Sequence, residues 1–389
     1  MTLKHSLVQK IGNAIKEVAR NKGSTCWYTP HMAAASRAIT ERIPLVDILL
    51  EVRDARIPLS STCELIKHLS PSSRRIIILN KSDLANHIQL KEWLRYFEQK
   101  KCLVFGVNSH NKDNIKEVDL RLHSVGLLSV SIRGQCSDST ANLQLLNFLQ
   151  ARVRELPKIG HGDQTITLML FGIPNVGKSA LANSLHQIGR ISAAEKGRLK
   201  HAIVSPHPGE TKNISGLKIA SHPSIYVLDT PGVFPAEILD AEVCSNLALT
   251  GALKDCLVGE VELAEYFLSI FNLSDEYKKW VKLSLSGADD CSELERRQKR
   301  QYLTDHTQDF IVHKVRRVLY EAVSSFNGDL EDEETMSQLI KAEFAVLRDA
   351  FNLPPDSDDC VRKVSAKLLN LYRTGRLGHY TLDVAPSNN

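Results

Sequence analysis

The chain has 389 residues, 43% hydrophobic and 24% charged, with a formal net charge of +4. That composition excludes a disordered chain and allows more than one core, and no apolar run approaches the ~18 residues that would span a bilayer, so no integral membrane association is expected. Eight cysteines (26, 63, 102, 136, 244, 256, 291 and 360) include no Cys-x-x-Cys pair, which points away from zinc and toward a reducing compartment.

Residues 1–30 carry five basic side chains (Lys4, Lys10, Lys16, Arg20, Lys22) against the single acid Glu17, so the rest of the chain is neutral. Leu3, Leu7, Ile11, Ile15 and Val18 recur at helical spacing beside that basic face. The pattern suits a mitochondrial transit peptide over residues 1–26, with an ordinary surface helix as the alternative.

Further along, Leu45–Glu51 and Arg75–Leu79 read as buried parallel strands. The second runs into Asn80-Lys81-Ser82-Asp83. A carboxylate at Asp83 can accept from N1–H and the exocyclic amine of guanine, whereas adenine has no N1–H and would leave a buried charge unpaired. Asn80 is expected to brace loop and base, and the Lys81 stem to lie over the purine. A helix follows over His87–Gln99, then a strand-like Cys102–Gly106 leading to Asn108 and Ser109, which can offer a backbone N–H to guanine O6. Residues 111–165 hold a polar stretch and a helix-like run, Leu143–Leu156.

The third strand, Thr165–Phe171, precedes Gly172-Ile-Pro-Asn-Val-Gly177-Lys178-Ser179, which opens a helix over Ser179–Gln187. That is the setting of a phosphate-binding P-loop, in which backbone N–H groups and a helix N-terminus face the phosphates. Asn175, Val176, Gly177, Lys178, Ser179 and Ala180 form the expected phosphate-contacting set, Lys178 reaching the β- and γ-phosphates and Ser179 binding Mg²⁺. Pro208-Gly-Glu-Thr211 lies in a polar segment, where the Thr211 hydroxyl can complete the Mg²⁺ shell. The strand Ser224–Leu228 ends in Asp229-Thr-Pro-Gly232. Its carboxylate is placed for Mg²⁺ and the Gly232 N–H for the γ-phosphate. Lys178, Thr211 and Gly232 are the expected catalytic set. Val233 stands where many GTPases carry a water-orienting glutamine.

Strands alternating with helices predict a doubly wound α/β domain over 27–240. Beyond it, amphipathic runs near 242–254, 260–272, 294–324, 335–351 and 358–374 predict an all-α unit over 241–384. Arg296, Arg297, Lys299 and Arg300, joined by Lys314, Arg316 and Arg317, can neutralise nucleic-acid phosphates or form a solvated face.

The guanine-selecting motif precedes the phosphate-binding motifs, the reverse of ordinary GTPases. The chain resembles the circularly permuted ribosome-assembly GTPases, and within them the mitochondrial branch of the bacterial YlqF-like group. Asp54-Ala55-Arg56-Ile57-Pro58, Trp27 to Met32, Leu247-Ala-Leu-Thr-Gly251 and Arg373-Thr-Gly-Arg-Leu-Gly378 carry the likeness, which covers about 27 to 384. It departs at Thr29-Pro30, where the family has Pro-Gly, and in the longer 111–165 segment. The resemblance implies a permuted P-loop GTPase domain followed by a helical domain, binding GTP or GDP with Mg²⁺ and hydrolysing GTP slowly until a ribosome stimulates it. It further implies a monomer acting on the large subunit of the mitochondrial ribosome and its rRNA in the matrix, and Asn175 as a ligand for K⁺. A nucleotide-gated scaffold with little hydrolysis, or the same role in a plastid, is the alternative. An ATPase or kinase is disfavoured by Asn80 and Asp83.

Overall fold

The computed structural model describes residues 6–22, 27–66, 74–110, 141–155, 165–192, 214–221, 224–235, 238, 240–281, 306–354 and 359–386. They form two units. One comprises residues 23–238, 250–254 and 380–389; the other comprises 1–22, 239–249 and 255–379. These boundaries differ from the sequence expectation at three places: the first 22 residues group with the helices, and two short later segments group with the sheet.

The α/β unit opens with α2 (Pro30–Arg42). The departure at Thr29-Pro30 has a local cause: the Thr29 hydroxyl accepts from Met32 N–H as an N-cap and Pro30 takes the first helical position, where no donor is lost. Strands β1 (Ile48–Asp54), β2 (Arg75–Asn80), β3 (Leu103–Val107), β4 (Ile166–Phe171), β5 (Ser215–Ser221) and β6 (Ser224–Asp229) form one sheet in the order β3-β2-β1-β4-β6-β5. All neighbours are parallel except β5 and β6. The chain moves outward from β1 to β2 and β3, then crosses to β4 on the other side of β1. The ends of β1 and β4 therefore flank a topological switch point, where doubly wound sheets bind ligands. Helices α3 (His87–Gln99), α4 (Ala141–Glu155) and α5 (Lys178–Ser192) complete this unit. The edge strand β5 was not predicted.

Inside β1, Glu51 is fully buried and its carboxylate meets Arg53 Nη2 at 3.0 Å, Arg75 Nε at 2.8 Å and the Cys63 backbone N–H at 3.1 Å. Burial alone would raise its pKa, but Arg53 and Arg75 outweigh that and hold it below the ordinary carboxylate range.

The helical unit contains α1 (Ser6–Asn21), α6 (Ala241–Leu249), α7 (Asp255–Val258), α8 (Glu260–Leu273), α9 (His306–Ser325), α10 (Glu333–Ala350) and α11 (Cys360–Arg373). The apolar stripe of α1 is buried here, with Leu7, Val8, Ile11, Ile15 and Ala19 all at 9% exposure or less, while Lys10 pairs with Glu333. Aromatic packing fills the centre: Phe267 lies against Tyr372 and Phe271 stacks on Trp280. Arg373 donates to Leu249 O and Ala248 O, satisfying the last carbonyls of α6, and pairs with Asp255 at 2.6 Å. One arginine thus joins the two late sequence blocks.

Within this core Glu343 and Asn272 face each other. Asn272 Nδ2 donates to Glu343 Oε2 at 3.0 Å, and the other oxygen of each group has no partner among the described residues. Burial pushes the Glu343 carboxyl up to about 8, against the opposing effect of the Asn272 bond. An acid with a raised folded pKa binds its proton in the native state before the unfolded chain does. Its contribution to stability should therefore be complete below about pH 4.5 and be lost toward pH 8, with a slope that approaches but does not exceed roughly 1.4 kcal/mol per pH unit. Urea melts across that range should show this slope in the unmodified protein and a flatter profile in Glu343→Gln, which is neutral throughout.

Candidate nucleotide site

Five loops meet at the carboxyl edge of the sheet, following β1, β2, β3, β4 and β6. The parallel register sets Asp54 beside Asn80 and Asn80 beside Val107, so side chains far apart in the chain start level with one another. Asn80 is fully buried. Its Nδ2 donates to Val176 O at 2.8 Å, and its Oδ1 accepts from the Ser109 N–H and hydroxyl at 3.1 and 2.7 Å. One side chain thus ties the P-loop to the Asn108–Ser109 loop. Gly177 must be glycine, because it has φ 91° and an added Cβ would lie 2.2 Å from Asn80 Nδ2.

Lys81 adopts a left-handed conformation, φ 61°. Its ammonium donates to Asn175 O at 2.6 Å and pairs with Asp54 at 3.0 Å. Burial lowers the Lys81 pKa and Asp54 opposes the shift. In turn Arg56 and Lys81 outweigh burial at Asp54 and hold its carboxyl far below the usual range. Ser82 is buried and Asp83 half-buried in the turn that follows. Asn108 Oδ1 accepts from His110 N–H, closing its own turn. The Asn108 carbonyl accepts from Asn142 of α4 at 2.7 Å, and Asn142 also bonds Ser184 of α5. Asn142 carried no motif signal, since an isolated asparagine at a helix start reads as a cap.

On the phosphate side, Lys178 is buried and donates to Gly172 O at 3.2 Å and Ile173 O at 2.7 Å, inside the curve of its own loop. Burial lowers its pKa to about 8, with Asp229 acting the other way. Ser179 Oγ donates to Asp229 Oδ2 at 2.6 Å; Asp229 Oδ1 is buried without a partner among the described residues. Burial raises the Asp229 pKa, countered by Ser179 and Lys178. A buried hydroxyl–carboxylate pair with one bare carboxylate oxygen is a donor set that suits a hard divalent cation such as Mg²⁺. Gly232 abuts the P-loop so closely that a Cβ would lie 2.5 Å from Pro174 N and Cα. Val233 is 2% exposed and packs with Ala35, Ile39, Met169 and Phe171, so its side chain belongs to the core. Asn175, at φ 58°, donates from Nδ2 to Gly251 O at 2.9 Å. Val176 and Ala180 are buried at the loop's exit into α5. Thr211 and the cluster Arg296, Arg297, Lys299 and Arg300 lie outside the described residues. Of the companion basic residues, Lys314 donates to Asp349 O and Arg316 to Arg376 O, so both brace the helical unit; Arg317 lies 3.8 Å from Glu321.

A P-loop, a guanine-type loop and an Asp-Thr-Pro-Gly turn, in permuted order around one switch point, define a circularly permuted GTPase fold. Residues 167–340 match the family described as "50S ribosome-binding GTPase". The chain is 54% identical over 385 residues to "DAR GTPase 2, mitochondrial" of Arabidopsis thaliana, covering 97% of this chain and 95% of that protein. It is 38% identical to "Short integuments 2, mitochondrial" of the same plant over 383 residues, 95% of this chain and 91% of that one. "Ribosome biogenesis GTPase A" of Bacillus cereus shares 30% identity over 242 residues, 62% of this chain and 70% of its own. The chain belongs to the DAR family of circularly permuted GTPases.

Proposed function

We propose that this GTPase serves assembly of the large subunit of the mitochondrial ribosome; a family named for 50S ribosome binding and relatives named for mitochondria and for ribosome biogenesis support this reading. The observation that carries the chemical part is the pairing of Ser179 with Asp229 beside Lys178, at the end of the P-loop strand and next to the loop of Asn80 and Asp83. Asp83 selects guanine, Lys178 and the P-loop amides hold the phosphates, and Ser179 and Asp229, joined by Thr211, hold Mg²⁺. The metal offsets charge on the β- and γ-phosphates when bound.

The burial of Val233 leaves no side chain at that position to orient water, so hydrolysis by the protein alone is slow and a ribosomal partner completes the site. Asn175 keeps one amide oxygen for a potassium ion near the phosphates while its Nδ2 is anchored to Gly251. We read the basic amphipathic α1 as the mitochondrial address. Val8 and Ile15 of this helix are buried, so an address that is kept after import accounts for both its basic face and its packing.

Phosphate release from GTP tests this reading, measured in equimolar KCl and NaCl with and without purified mitochondrial large subunits. The expected outcome is at least a tenfold stimulation by subunits and faster turnover in KCl, a gain of the kind that electrostatic groups at the phosphates provide, up to ~10³-fold. Equal rates with and without subunits would overturn the ribosomal assignment. Equal rates in the two salts would remove the potassium ion.

A further inference from the structure

The Asp54-Ala55-Arg56 signature identifies the family, yet nothing in the nucleotide chemistry above uses Arg56. It is 2% exposed. Its backbone N–H and Nε both donate to Asp54 Oδ1 at 3.0 Å, and its Nη2 donates to Asp54 Oδ2 at 2.8 Å and to Thr250 O at 3.2 Å. Asp54 Oδ2 also takes Lys81 Nζ, Lys81 donates to Asn175 O, and Asn175 Nδ2 donates to Gly251 O. These contacts close a ring. It runs from Arg56 through Asp54 and Lys81 to the P-loop at Asn175, and returns through two consecutive carbonyls, 250 and 251. Those carbonyls belong to a strap, Thr250–Lys254, that groups with the α/β unit although helices of the other unit flank it in the chain.

We propose that Arg56 is a positioning residue that couples the guanine loop to this strap. Through Asp54 it fixes Lys81, and together with Asn175 it grips the Thr250–Gly251 carbonyls, so nucleotide binding and strap order rise and fall together. The inference rests on reading Asn80–Asp83 as the guanine loop. Its physical basis is the guanidinium fork: one planar group engages both carboxylate oxygens and still offers a donor to a carbonyl. An ammonium at the same place can neutralise Asp54 but cannot span both partners. The two duties of Arg56 are therefore separable by substitution, which a merely space-filling role would not permit.

The test measures GDP affinity by displacement of a fluorescent GDP analogue, and amide hydrogen exchange of Gly251–Lys254 with and without saturating GDP. The unmodified protein, Arg56→Gln, Arg56→Lys and Asn175→Ala are compared. In the unmodified protein GDP should slow strap exchange about tenfold or more, a coupling within the usual range. Arg56→Gln should weaken GDP about tenfold and abolish the strap response even at saturation. Arg56→Lys should recover affinity to within about threefold while the strap stays unresponsive. Asn175→Ala should also lose the response. A strap that responds normally in Arg56→Gln, or affinity and response restored together in Arg56→Lys, overturns the proposal. Should Arg56→Gln fail to fold, Arg56→Lys and Asn175→Ala decide it. Failure of the unmodified protein to bind GDP would instead sink the guanine-loop reading, whereas GDP binding without any strap response sinks only the coupling.

Discussion

Replacing Asp83 with asparagine should weaken GTP binding by about 10³- to 10⁴-fold, the penalty typical of a site that loses the partner for a buried polar edge. In the guanine-loop reading proposed above, the carboxylate would accept two N–H bonds from guanine, whereas the amide could accept one and would turn a donor toward the other. That same donor suits the C2 carbonyl of xanthine. Isothermal titration with GTP and with the xanthine nucleotide should therefore show the preference reversing, and a variant that still binds GTP as tightly as before would remove Asp83 from the site. Reversal also separates a base contact from general damage, because a damaged pocket would lose both ligands.

The largest effect on stability should come from Glu51→Gln. The carboxylate is fully buried between Arg53 and Arg75 in the strand that lies between the guanine-loop strand and the P-loop strand. The amide removes the one charge that both guanidinium groups share, while Arg53 keeps Pro58 O and Phe97 and Arg75 keeps some solvent, which costs about 3 kcal/mol, or roughly 10 °C in melting temperature for a domain of this size. Because the folded pKa of Glu51 is lowered, its contribution is complete above the unfolded value near 4.5 and is lost as pH falls through the folded value. Calorimetry at pH 7 and pH 4 should thus show the gap between the two proteins narrowing in acid. A gap that is small at pH 7 would mean the arginines find other partners.

Much of the site could be read before any coordinates, because its chemistry is written in side chains at fixed spacing between a strand and a helix. Asn80, Asp83, Lys178, Ser179 and Asp229 all reach the same edge of the sheet as their strands required. Helix α3 falls at its expected bounds, since its periodicity and the Asn86 cap agree. Strand β5 was missed because Ser215–Ser221 is an edge segment whose first two residues are exposed and whose pairing is irregular around Lys218. In α1, the same basic amphipathic pattern suits an import signal and a helix with one buried face, and periodicity cannot tell them apart. The contacts of the strap were illegible for a different reason, although Thr250 and Gly251 lie in a block that carries the resemblance. The strap is held through backbone groups: Arg56 and Asn175 bind the carbonyls of 250 and 251. A peptide carbonyl is present at every position, so it leaves no mark in the sequence.

The C-terminal tail has a bearing on how the protein is made. Asp383 accepts from the Leu59 and Ser60 N–H groups and the Ser60 hydroxyl, its carbonyl accepts from Trp93 Nε1, and Thr381 accepts from Asn86 N–H. These bonds fasten the loop that carries Arg56, more than three hundred residues upstream. During synthesis from the N-terminus the six-stranded sheet is complete once residue 229 has emerged, yet the turn at Leu59–Ser60 waits for its acceptor until residue 383 follows. At translation rates of about 5–20 residues per second that interval lasts on the order of ten seconds. Throughout it the loop that carries Arg56 lacks the bonds that Asp383 gives to Leu59 and Ser60. A chain that stops before residue 381 therefore lacks the Thr381 and Asp383 bonds to Asn86, Leu59, Ser60 and Trp93, however well its helices have formed.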